Sequence, residues 1–112
     1  MTTPTELLAV ARELSSDPRE AAWRSAASRA YYPAFWHLRA LVEERFGALE
    51  STGAEVHGEL YRATRSWDAD LAQLLANLRN ARNRADYAPE IRFTLGLSGR
   101  CITAAERVLS VE

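Results

Sequence analysis

Residues 78–87, Leu-Arg-Asn-Ala-Arg-Asn-Arg-Ala-Asp-Tyr, place three arginines, two asparagines, one aspartate and one tyrosine in ten positions. Arginine is permanently charged and presents a planar fork that suits phosphate or carboxylate, so the chemistry on offer is anion recognition. The setting makes this unusual. Upstream, Leu71, Leu74, Leu75 and Leu78 recur at spacings of three and four, the signature of an amphipathic helix face. Continued at about 100° per residue, that stripe is expected to centre next on Arg82. Arg79 and Asp86, seven residues apart, fall together on one flank of it. A guanidinium on an inward seam is costly unless a carboxylate, a phosphate or a dimer partner satisfies it.

Composition excludes several classes around this segment. The chain has 112 residues, enough for one core and too few for two. Fourteen basic against fifteen acidic residues give a net charge of −1, which argues against a polyanion binder held by bulk charge. Every basic residue is Arg, a pattern that fits either bidentate phosphate recognition or a GC-rich coding bias. Between Arg62 and Arg84, however, five arginines face only Asp68 and Asp70, so an anion site is expected there. No apolar run reaches the roughly 18–20 residues of a membrane span, and the Thr-rich, uncharged start does not read as a signal peptide. The lone Cys101 cannot form an internal disulfide. A cytoplasmic location is the expectation. His and Cys spacing suggests no metal, and with no Gly-rich phosphate loop and no nucleophile elbow, no cofactor is expected.

The segments that carry these residues all read as helices. Thr3-Pro4-Thr5-Glu6 is a capping box with Pro at the first helical position, opening a helix to about Leu14. Asp17-Pro18-Arg19-Glu20 predicts a second start by the same device, in a helix running to Phe46 with Gly47 as its stop. That helix would span about 40 Å at 1.5 Å per residue. A loop from Leu49 to Gly53, a short helix over 54–65, the motif helix over 68–85 and a last helix over 93–109 complete the chain. The fold class is therefore all-α, a bundle of four to five helices built on a long second one.

On the long helix, Trp23, Ala27, Ala30, Ala34, Leu38 and Leu41 form the inward stripe. Pro33 removes one helical hydrogen bond, and because the stripe resumes in phase a kink is expected rather than a break. Tyr32 and Trp36 sit on the opposite side. They either pack under the first helix or a loop, or form a dimer interface, where such residues are enriched.

Three pieces then resemble one family. Ala26-Ala27-Ser28-Arg29-Ala30-Tyr31-Tyr32-Pro33-Ala34-Phe35-Trp36-His37 is similar to the "SRAYYAxFH" signature on the long helix of HEPN domains. Val56-His57-Gly58-Glu59-Leu60-Tyr61 resembles the "HxGxxxxF" piece that one HEPN subgroup carries in its short helix. Arg82-Asn83-Arg84-Ala85-Asp86-Tyr87 is similar to the "RxxADY" ending of that subgroup's fourth helix. The matches come in family order and span about residues 23 to 88.

The resemblance implies that residues 1–112 form one HEPN-like helical domain, usually a homodimer whose fourth helices meet in a cleft. It implies either a metal-independent ribonuclease, as in toxins paired with a nucleotidyltransferase antitoxin, or a module that only binds RNA, a nucleotide or a partner protein. Arg79, Arg82 and Asp86 would then line the cleft, with Asn80, Arg84 and Tyr87 contacting RNA or nucleotide, and Tyr32 and Trp36 at a dimer interface. Active members follow an Arg-polar pair with a His about four residues on. Arg79-Asn80 begins that pattern, but Arg84, Ala85 and Asp86 stand where the His would fall. Internal attack on RNA needs a group to take and return protons, which Arg cannot do and His can. Asp86 is better read as the ion-pair partner of Arg82, four residues earlier. His57 remains a candidate if the fold brings it to the arginines. His37, beside the apolar stripe, reads as a satisfied core or interface residue. Binding without cleavage is the favoured expectation, with cleavage or a purely structural motif as the alternatives.

Overall fold

The computed structural model describes residues 2–112, and these form five helices with no strand among them. They are α1 (Pro4–Ser15), α2 (Glu20–Phe46), α3 (Glu55–Trp67), α4 (Ala69–Tyr87) and α5 (Leu95–Leu109). Three starts are set by side-chain caps. Thr3 Oγ1 accepts the Glu6 N–H at 3.1 Å, Asp68 Oδ1 the Leu71 N–H at 3.0 Å, and Thr94 Oγ1 the Leu97 N–H at 3.1 Å. Each satisfies a donor that the first turn would otherwise leave unpaired.

The start of α2 departs from the sequence expectation. Asp17 spends its carboxylate on Arg19 instead of a helix end, accepting the backbone N–H and the guanidinium at 2.9 Å each. The helix therefore begins at Glu20 with Arg19 as an N-cap that makes no side-chain bond. The nearby arginine outcompetes the helix N–H groups for the aspartate. Trp23 closes the corner by donating its indole N–H to the Asp17 carbonyl at 2.6 Å.

From there α2 runs unbroken for 27 residues through the buried Pro33. Its length of about 40 Å matches the 42 Å long axis of the molecule. It stops at Gly47, whose φ of +91° suits a residue without a Cβ.

All four other helices pack on α2. Ala26, Ala27, Ala30 and Ala34 are fully buried and let neighbours approach closely, while Tyr31, Leu38 and Val42 fill the space between. Leu75 and Leu78 from α4, Leu60 from α3 and Val108 from α5 complete one core. Its burial of apolar surface dominates the stability of the bundle.

On α4 the buried line continues through Ala81 and Ala85, not through Arg82 as the leucine stripe alone predicts. Arg82 lies at the edge of the seam, its side chain 16% exposed. The small alanines take the closest approach to α2, and the long guanidinium reaches along the rim. His37 is satisfied as expected, with Nε2 2.6 Å from the Val111 carbonyl. Among the described residues no helix is long and apolar enough to cross a membrane.

Candidate anion-binding site

Two clasps fix the start of α3 and the end of α4. Glu59 accepts backbone N–H groups from Glu50 and Ser51 at 2.7 to 3.1 Å, pinning the loop before α3 to α3 itself. These bonds favour the charged carboxylate and hold Glu59 below its ordinary range. At the far end of α4, Arg24 donates to the carbonyls of Arg84, Ala85 and Ala88 at 3.1 to 3.2 Å and also reaches those of Pro89 and Ile91. A cation there meets the negative end of the helix dipole and satisfies carbonyls the helix cannot.

Between these clasps, Arg82 has partners for its charge. Its Nη2 donates to the Tyr32 hydroxyl at 2.7 Å and its Nη1 to Asn83 Oδ1 at 3.3 Å. Its Nε stands 3.1 Å from Asp86 Oδ2 as an ion pair, although it lacks the alignment of a hydrogen bond. The guanidinium carbon lies 5.9, 5.2 and 5.6 Å from the ring centres of Tyr31, Tyr32 and Tyr87, inside cation–π range. Asp86 accepts a second bond from Ser28 Oγ at 3.1 Å.

Arg79, one turn earlier, is different. Its Nε is buried without a hydrogen-bond partner, and it makes no ion pair with any described residue. It borders a cleft of about 180 Å³ whose other walls include Tyr31, His57, Tyr61 and Asn80. A buried donor left unpaired costs about 1–3 kcal/mol, so this site gains from an incoming acceptor.

His57 Nδ1 sits 2.5 Å from the hydroxyl of the fully buried Tyr31. That hydroxyl has no other partner among the described residues, so the two side chains hold one another in place. Burial, with Arg79 and Arg82 adding to it, holds the imidazole below its usual value of 6.5, so it is neutral at pH 7. Burial likewise pushes the Tyr31 hydroxyl up to about 12, against the pull of the same arginines. The imidazole also packs 4.7 Å from the Phe35 ring centre.

The residues singled out in the sequence thus divide. Arg79, Asn80 and His57 share one cleft. Asp86, Ser28, Arg29 and Tyr32 border a second hollow of about 250 Å³. Arg82 stands between, so Arg79, Arg82 and Asp86 do not converge on a single pocket. Tyr87 is 71% exposed beside Arg82, and Arg84 has an exposed side chain without an ion pair among the described residues. Tyr32 and Trp36 are exposed, with Arg39 over the Trp36 ring at 5.5 Å and Phe35 in a T-shaped pair with it. Sequence reasoning missed Tyr31 and Arg24 as organisers. Tyr31 carried a signal, since it lies four after Ala27 and seven before Leu38 on the inward stripe. No family model, no curated protein and no solved structure matches the chain.

Proposed function

We propose that this protein is a HEPN-like helical module that binds a phosphate-bearing ligand, RNA or a nucleotide, at the Arg79 cleft without cleaving it. One observation carries the reading: the Arg79 guanidinium has a buried, unpartnered Nε at the wall of a cleft, while Arg82 is already paired. Neutral His57 and Asn80 line the same cleft and add further hydrogen-bonding groups there. Donors of this kind bind phosphate oxygens, and no residue of α4 replaces the missing motif His. The resemblance to HEPN domains supports the ligand class, and it alone supports a toxin–antitoxin context. A small nucleotidyltransferase encoded alongside would strengthen that part.

The test is labelled RNA and labelled nucleotide incubated with the purified protein in EDTA. Salt-sensitive binding is expected, falling about tenfold or more in Arg79→Ala, because a charge-assisted contact is worth about 1.5–3 kcal/mol. The salt slope should be near that of one or two phosphate contacts, since only Arg79 and Arg84 offer unpaired charge in this segment. Neither binding nor cleavage, with Arg82→Ala merely lowering stability, would leave the polar motif structural and end the proposal.

A second reading, a metal-independent ribonuclease, gains from one feature. The titratable group missing from α4 returns from α3 as His57, within the field of both arginines. Cleavage that survives EDTA and disappears in both His57→Ala and Arg79→Ala would establish it in place of simple binding.

A further inference from the structure

An open groove of about 720 Å³ lies away from this cleft, along the seam of α4 and α5. Leu74, Leu78, Leu97 and the buried Cys101 give it an apolar floor. Its α5 wall runs from Gly96 to Arg107, three turns or about 16 Å of helix. Arg100 and Arg107 stand on that wall, two turns apart, and no residue lining the groove is acidic. Neither arginine makes an ion pair among the described residues, and Glu106, the one acid beside Arg107 in α5, is drawn away to Arg12 at 3.0 Å. Gly99 also lines the groove although a Cβ there would meet nothing within 4 Å. Glycine inside a helix costs about 1 kcal/mol relative to alanine, and nothing in this chain's own packing requires it.

We propose that the α4/α5 groove docks an amphipathic helix of a partner protein, with small and aliphatic residues on one face and acidic residues on its flank, seven apart, opposite Arg100 and Arg107. The trough has the length of three helical turns, its floor is apolar, its α5 rim carries two unpaired arginines and no acid, and Gly99 leaves room for a close backbone. This is helix-in-groove recognition with register set by charge. It is independent of the proposed phosphate site.

The experiment uses the full chain and three labelled, helix-stabilised peptides of about five turns. They share a Leu/Ala face and carry Glu, Gln or Lys at the flanking positions. Fluorescence anisotropy should show the Glu peptide binding about tenfold more tightly than the Gln peptide. The double variant Arg100→Glu/Arg107→Glu should reverse the preference toward the Lys peptide. Gly99→Leu should block all three while raising Tm, which separates a filled groove from a misfolded protein. The proposal is overturned by no Glu-peptide binding at about 1 mM, the weak end of specific association. It is equally overturned by a charge preference that survives the arginine reversal. Self-association of the chain that these variants abolish would assign the groove to a second copy and overturn it too.

Discussion

His57 and the two arginines near it set one another's chemistry. A histidine held below 6.5 by burial and by Arg79 and Arg82 refuses a proton that the unfolded chain accepts. As pH falls through 6.5 the unfolded state gains that proton first, so stability drops until pH passes the folded value, and it is fully restored above 6.5. The melting temperature should therefore fall between pH 7.5 and pH 5.5, and His57→Gln should flatten that part of the curve. An unchanged slope in the variant would mean that the imidazole is not destabilised in its charged form. Asp17 and Glu59, both held below their ordinary values, act only at lower pH and leave this window clear.

At the scale of elements, the site exists because the ends of α3 and α4 are tied down. Arg24, with a side chain only 14% exposed, gathers carbonyls from the last turn of α4 and the connection after it. Arg24→Ala leaves several of them short of a donor and should cost about 2 kcal/mol. Thermal unfolding measures that loss, and amide exchange should quicken first around residues 84–88, where Tyr87 lies. These ties also show what could be read without the structure. The long helix was legible because Gly47 and the alanine stripe are local signals, as Thr3 is for α1. Its start was not, since the choice of Asp17 between Arg19 and the helix N–H groups depends on side-chain geometry. The leucine stripe placed Arg82 at the centre of the seam because alanine weighs little in a hydrophobic pattern, yet Ala81 and Ala85 are what α2 packs on. The His57–Tyr31 contact joins residues 26 apart, and no periodicity on either helix announces it.

For the whole molecule, three exposed aromatics stand near the middle of α2 and the end of α4, apart from Phe46 at the end of α2. Trp36 is 52% and Tyr32 37% exposed, one turn apart near the middle of α2, with Tyr87 nearby around Arg82. Packing under α1 or a loop would not leave this pair so open. A net charge of −1 provides little repulsion between copies. A twofold interface would set the same ridge against itself and bury the indole, the kind of anchor that dominates association energies. Homodimerisation through this face is therefore the expectation for the protein in solution. Light scattering at tens of micromolar should give twice the monomer mass, a range typical of a weak to moderate interface. Trp36→Ala should weaken the dimer about tenfold or more, in the manner of a hot-spot truncation. Gly99→Leu, in the α4/α5 groove, should leave the dimer unchanged, because the two surfaces share no lining residue. A wild-type monomer at that concentration would remove the dimer, and a dimer indifferent to Trp36→Ala but lost in Arg82→Ala would move the interface to the end of α4.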